Sequence, residues 1–432
     1  MHHNLTEPSV LGTHIKGASY TDKLNGAFHN WYRSVLGYKE DLVAQLLSQL
    51  PFNSRTKIID PFCGSGTTLI ECMKRGIDCV GIDANPASFF VSRVKTDWSL
   101  RGDRLLQLCN DIRERYPRAL RDNSSHRRDP TYVYLETSGM IERGWISLLP
   151  LHKSVAVKSC ILNLKTTKKY KNALMLALIA EVIHGASNVR FGPELYCGKS
   201  REDHDVLLGF CERVERMALD LGESNKINAG SADVFLGDSR ECSHVLDGLC
   251  AGPFTGVITS PPYPTEHDYT RNARLELAFL EEVSDRESLR RIKKRMIRSH
   301  TKGIYKGDKD AQLVEANRLV QSIVRILKRK VRDKDDGFAR LYPKVVQEYF
   351  GGIKHHLLSI KPFLSPSCRC AYIVGDQSSY LQVYIPTAEI LSSVAAEVGF
   401  KTLEIRCWRK RWSTKTSKTL DENILILEVP GA

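Results

Sequence analysis

The chain has 432 residues, 42% of them hydrophobic, which is enough for one large or two medium domains with buried cores. Its net charge of +13 favours a polyanionic partner. No apolar run reaches the roughly 18 residues of a membrane span, the Met-His-His-Asn start has no signal-peptide pattern, and the twelve scattered cysteines include no zinc-spaced pair; the expectation is a cytoplasmic protein with reduced thiols and no metal.

Residues 1–24 lack periodicity and read as an irregular arm. From Phe28 the positions Trp31, Tyr32, Val35, Leu36, Leu42, Val43, Leu46 and Leu47 recur at threes and fours, which predicts the buried face of a helix, ended by Pro51 and Asn53. Next, Lys57-Ile58-Ile59-Asp60-Pro61-Phe62-Cys63-Gly64-Ser65-Gly66-Thr67-Thr68 reads as strand, glycine loop and helix. Gly64 and Gly66 permit positive φ and close backbone approach, and the helix N-terminus offers free N–H groups. Cys79 to Asp83 reads as a second strand with an acid at its tip, where such acids grip ribose hydroxyls. The loop has neither Gly-x-Gly-x-x-Gly nor Gly-Lys-Ser/Thr. That fits a nucleoside ligand with no required pyrophosphate; a plain βαβ unit is the alternative.

Residues 97–228 form an insertion, predicted mainly helical, with Arg113, Arg115, Arg118 and Arg121 crowding its first part. It reads either as a target-recognition element or as a helical buttress with a solvated basic face. Beyond it, Gly237-Asp238-Ser239 precedes the run Val257-Ile258, which stops at Thr259-Ser260-Pro261-Pro262-Tyr263. This is the pattern of a buried strand ending in a stiff loop. The prolines have no N–H to donate, so the loop offers carbonyl oxygens beside the flat ring of Tyr263.

Residues 278–340 read as a basic helical segment. Arg291, Lys293, Lys294, Arg298 and Lys302, with Arg271 and Arg274 just before it, are candidates for contacts to nucleic-acid phosphates; a solvated face is the alternative. Helices over Leu313–Val331, Val345–Leu358 and Thr387–Val398, a strand over Cys370–Val374, and a hairpin of Leu403–Trp408 and Ile424–Val429 complete the alternation. Around the hairpin's connection Arg409 and Arg411, with Trp408 and Trp412, fit either a nucleic-acid lip or a mobile solvated loop.

Taken together, Asp60 to Thr68, Gly81-Ile82-Asp83 and Ser260-Pro261-Pro262-Tyr263 resemble the S-adenosylmethionine-dependent amino-methyltransferases of DNA. The leading serine is similar to the cytosine-N4 branch; the adenine-N6 branch usually has aspartate or asparagine there. The resemblance implies an α/β fold: a doubly wound, Rossmann-like, mostly parallel seven-stranded sheet with a terminal antiparallel hairpin. The catalytic domain would comprise residues 25–96 and 229–432, with 97–228 as an inserted domain that in this family commonly carries target recognition. S-adenosylmethionine is the implied cofactor. Its implied site is Asp60, Pro61, Phe62, Cys63, Gly64, Ser65, Gly66, Thr67 and Thr68, with Asp83 on the ribose, Asp238 and Ser239 near the adenine, and Trp31 closing over the methionine end.

The implied catalytic residues are Ser260, Pro261, Pro262 and Tyr263. The Ser260 hydroxyl and the Pro261 carbonyl would accept both hydrogens of the target amino group, placed in advance of the charge that develops on its nitrogen. A duplex base must flip out to present that group, and Tyr263 would stack on it. The implied partners are double-stranded DNA and a cognate restriction endonuclease, in a bacterial or archaeal restriction-modification system. Alternatives are adenine-N6 transfer on the same scaffold, an RNA amino-methyltransferase, and a nucleic-acid-binding protein that no longer transfers methyl. Cytosine-C5 chemistry needs a thiolate, which those enzymes place after a proline; this chain has no Pro-Cys dipeptide.

Overall fold

The computed structural model describes residues 26–34, 37–50, 56–191, 195–225, 227–247, 253–332, 337–413 and 417–431. The expected arm 1–24, together with Val35, Leu36, Pro51 and Asn53, lies outside these residues.

Nine strands are described in chain order: β1 (Lys57–Asp60), β2 (Asp78–Asp83), β3 (Val189–Phe191), β4 (Leu195–Cys197), β5 (Ala232–Leu236), β6 (Phe254–Thr259), β7 (Leu364–Gly375), β8 (Lys401–Ser413) and β9 (Lys418–Glu428). Seven form one sheet in the order β5-β2-β1-β6-β7-β9-β8, and β3-β4 is a separate two-stranded ribbon. From β5 to β7 every pairing is parallel, and β9 runs antiparallel to both its neighbours. The expected mostly parallel sheet with a terminal hairpin is therefore present. Ile58, Ile59, Val257 and Ile258 are all buried, as the central strands of a sheet covered on both faces require.

The chain runs outward from β1 through β2 to β5, then returns to the other side of β1 as β6. The reversal point lies between β1 and β6, where open α/β sheets bind ligands at the carboxyl ends of the strands. The ends here are Asp60-Pro61-Phe62 and Thr259-Ser260-Pro261. The register pairs Ile59 with Val257, so the two loops leave the sheet side by side.

Local chemistry fixes the elements beside that point. The helix Thr67–Lys74 starts after Gly66, which has φ +83°. The helix Pro86–Lys95 has proline in its first turn, and the Asn85 side chain accepts from the Ala87 N–H at 3.1 Å, a favourable start on both counts. The helix Thr387–Val398 stops at Gly399, with φ +89°.

The helices Gly102–Leu120, Leu148–Leu162, Lys168–Glu181 and Val206–Ser224 share one apolar core with Phe28, Trp31, Val91, Val94 and Leu275 to Phe279. A second core packs the helices Arg318–Arg332, Tyr342–Ile360 and Thr387–Val398 against the sheet.

Three expected elements differ in detail. The single helix from Phe28 is interrupted: a short turn at His29–Trp31 gives way to extended backbone at Tyr32, and the helix proper is Glu40–Gln49. The Phe28 N–H and the Trp31 indole both donate to Asp220, at 3.0 and 2.8 Å, so this end is anchored to the helical block instead of to the sheet. The helix expected over Leu313–Val331 is a short turn, Asp310–Val314, followed by Arg318–Arg332. The terminal hairpin is longer than expected. Arg409 and Arg411 lie on β8, opposite Glu422 and Leu420, and not in its connection. Among the described residues no helix is long and apolar enough to cross a membrane.

Candidate active site

Two strand ends meet at a buried carboxylate. The Asp60 side chain accepts from the Thr259 hydroxyl at 2.6 Å, the Tyr38 hydroxyl at 2.9 Å and the Phe62 N–H at 3.1 Å. Burial pushes its pKa up, against these three donors. Asp60 does not line the cavity above it. It clamps β1 to β6 and holds Tyr38, which does line it.

That cavity, about 390 Å³, runs from the glycine loop to the paired-proline loop. Pro61, Phe62, Cys63, Gly64, Ser65, Thr67 and Asp83 border it at one end, and Ser260, Pro261, Pro262 and Tyr263 at the other. Gly64 has φ +52°, and a Cβ there would meet no atom within 4 Å; its backbone faces open space. Asp83 accepts from the Gly64 N–H at 2.9 Å and the Asn85 N–H at 2.8 Å. Burial nevertheless pushes its pKa up to about 6. Cys63 is packed beneath, its thiol pushed up by burial. Gly66 and Thr68 do not line the cavity: Gly66 packs closely on Ser92, and Thr68 donates to the Ile258 carbonyl at 3.2 Å.

In the paired-proline loop, the Ser260 hydroxyl donates to the Ile373 carbonyl at 3.1 Å. The Tyr263 hydroxyl donates to Glu422 at 2.9 Å and sits 3.4 Å from Ser260 Oγ. A carbonyl can only accept, so Ser260 spends its proton there and its oxygen remains an acceptor. Arg409 donates to the other oxygen of Glu422. The Tyr263 N–H donates to the Tyr269 hydroxyl at 2.9 Å. Burial and the Glu422 charge push the Tyr263 phenol well up.

Other residues flagged from the sequence are placed differently. Trp31 is buried against Phe28 and does not line the cavity; its neighbour Tyr32 does. Ser239 lines the cavity but Asp238 does not. The Asp238 carboxylate is occupied by Arg240 at 2.6 Å, which also reaches Asp310 at 2.7 Å. Arg298 is buried and paired with Asp308 at 2.8 Å, Lys293 is paired with Asp268 at 2.5 Å, and Arg271 and Arg274 donate to the backbone carbonyls of Leu195 and Thr270. Arg291, Lys294 and Lys302 are exposed. Arg409 and Arg411 both line the cavity, as does Arg295.

Sequence reasoning missed Tyr32, Tyr38, Tyr269, Glu276 and Glu422 in the lining. Glu276 receives the Tyr32 hydroxyl, its second oxygen has no partner among the described residues, and burial pushes its pKa up to about 7. A buried acid between basic and apolar runs carries no local signal of its site.

Residues 36–178 match the family model described as D12 class N6 adenine-specific DNA methyltransferase. The type II methyltransferase M.AvaI of Nostoc sp. is 25% identical over 403 residues, covering 87% of this chain and 80% of its own. M.BsoBI of Geobacillus stearothermophilus is 23% identical over 437 residues, covering 92% and 83%. M.MjaII of Methanocaldococcus jannaschii is 44% identical over 61 residues, 13% of this chain and 12% of its own. Among solved structures, an rRNA methyltransferase, aviRa from Streptomyces viridochromogenes, overlays with a TM-score of 0.31 at 13% identity, across 92% of this chain and 89% of that one; an overlay that loose bears no weight. The chain is accordingly a DNA methyltransferase, and its methyl donor is S-adenosylmethionine.

Proposed function

We propose that this enzyme methylates the exocyclic N4 of a cytosine flipped from a specific duplex sequence, as the modification partner of a cognate restriction endonuclease. The observation that carries the reading is Ser260 at the head of the paired-proline loop, its proton committed to Ile373 and its oxygen left as an acceptor beside Tyr263.

The cofactor supplies a methyl already activated on a sulfonium. The open backbone at Gly64 and the Asp83 carboxylate suit its nucleoside. The protein's task is then to present an amino nitrogen whose lone pair is drawn out of the ring. Ser260 Oγ and the Pro261 carbonyl accept the two amino hydrogens and favour the tetrahedral, positively charged nitrogen, without reorganising as charge develops. Alignment of acceptor and methyl supplies much of the remaining acceleration. No strong base is needed, because the nitrogen's proton becomes acidic after transfer. Flipping costs a few kcal/mol, and stacking on Tyr263 returns on the order of 1–3 kcal/mol. The insertion 97–228 and the exposed Arg291, Lys294 and Lys302 would read and hold the duplex.

Adenine-N6 transfer is the second reading, favoured by the description of the matched family. That match ends at residue 178, before the loop that holds the target base. It covers the cofactor loop, which resembles both branches. Tritiated methyl transfer to plasmid DNA, followed by nucleoside mass spectrometry, separates the two. Label in N4-methylcytosine is expected; label in N6-methyladenine moves the assignment to adenine, and label in RNA alone overturns the DNA reading.

A further inference from the structure

Resting on the cytosine reading above, we infer that Arg411 reads the target base, donating to the N3 and O2 edge of the flipped cytosine. The paired-proline loop holds only the amino group, so the ring atoms beside it are left for another group to read. A discriminating group must touch the ring beside that amino group.

Arg411 stands there. It lines the same cavity as Ser260, Pro261 and Tyr263. A Cβ built on Gly375 would lie 3.1 Å from the Tyr263 ring and 3.3 Å from Arg411 Nη2, so one bare glycine separates guanidinium from tyrosine. Nη2 donates to the Asp376 carbonyl at 3.2 Å, which fixes the group's plane. Its Nε is enclosed and, among the described residues, has no acceptor. That leaves the terminal N–H groups of Arg411 as the donors a base edge in the cavity could reach.

The two bases differ in what they offer such a group. Next to its amino group cytosine has N3 and then O2, two adjacent acceptors that match neighbouring N–H groups of a planar guanidinium. Adenine has N1 and then a C2–H, which would leave the second donor facing carbon. Arg409 is closer to solvent, yet it is engaged by Glu422, and that pair holds the Tyr263 hydroxyl.

The test is a cycle in substrate and enzyme. Duplexes carry the enzyme's own sequence, located by sequencing methylated plasmid, with either cytosine or 3-deazacytosine at the target; the analogue keeps the amino group but replaces N3 by C–H. Wild type and Arg411→Met are compared by kcat/KM, with cofactor affinity and thermal unfolding checking that the variant is folded; Arg411→Lys is the second variant if methionine is not tolerated. Wild type should lose about 10- to 100-fold on the analogue. Arg411→Met, which removes the N3 and O2 contacts together, should lose at least that factor on cytosine, and changing cytosine to the analogue should cost the variant little more, because its N3 contact is already gone. Factors that multiply in the double combination overturn the inference and leave cytosine-N4 transfer standing. Methylation found on adenine overturns both.

Discussion

Glu276 offers a quantitative check on how the cavity wall is built. It is 3% exposed, it accepts from the Tyr32 hydroxyl, and burial raises its pKa from 4.5 to about 7. An unfolded chain releases this proton near the ordinary glutamate value, while the folded chain holds it until about pH 7. Between those values the folded state binds more protons, so stability falls as pH rises and levels off above the folded pKa. Two and a half units, at about 1.4 kcal/mol each, make the full penalty roughly 3 kcal/mol. Glu276→Gln keeps the shape and an acceptor for Tyr32 but has no charge to bury. Urea unfolding of the cofactor-free protein at pH 5 and pH 8 measures the difference. The variant should gain on wild type by about 2–3 kcal/mol between the two pH values, other titrations cancelling. Parallel stability profiles would show that Glu276 ionises freely and that the wall is wetter than its packing suggests.

Asp83→Ala should weaken cofactor binding by about tenfold or more, as loss of a ribose-gripping carboxylate would. In the wild type, affinity should also fall as pH drops through about 6, by up to about tenfold per unit; calorimetric titration across pH 5 to 8 reads it, and a flat profile removes Asp83 from the binding reaction. Ser260→Ala and Tyr263→Ala should each lower single-turnover methylation by about 100-fold, on the scale of a lost preorganised contact, with cofactor affinity nearly unchanged; equal loss of cofactor affinity in these and in Asp83→Ala contradicts the separation of roles. Gly375→Ala should also slow transfer without weakening the cofactor, because its Cβ would press on Tyr263 and Arg411 from 3.1 and 3.3 Å. Normal turnover in that variant would mean the ring and guanidinium shift freely.

Much of this site was legible because its signals are local. A glycine loop after an apolar run and two prolines after another are backbone statements, and each needs only its own few residues. Side-chain partners across the fold are not local. Spacing marked Trp31 and Tyr32 alike as buried, but which one faces the core and which the cavity depends on Asp220, far along the chain. The basic run near residue 298 reads either as a phosphate-binding or as a solvated face, and neither reading anticipates Asp308 folding back on the buried Arg298.

The hairpin shows most clearly what a sequence withholds. Read as a connection, Arg409, Lys410 and Arg411 are three equivalent cations on a solvated loop. Read as strand, they alternate, and Arg409 and Arg411 share the side that lines the cavity while Lys410 does not. A register irregularity between Cys407 and Arg409 then sets Arg409 opposite Glu422. Without that shift the alternation of β8 would set Trp408 opposite Glu422, and the carboxylate that the Tyr263 hydroxyl donates to would lose its Arg409 partner. One irregular step in an edge strand therefore helps determine the geometry of a loop more than a hundred residues earlier in the chain. A substitution that altered the pairing of β8 with β9 should lower activity even though it touches neither substrate nor cofactor.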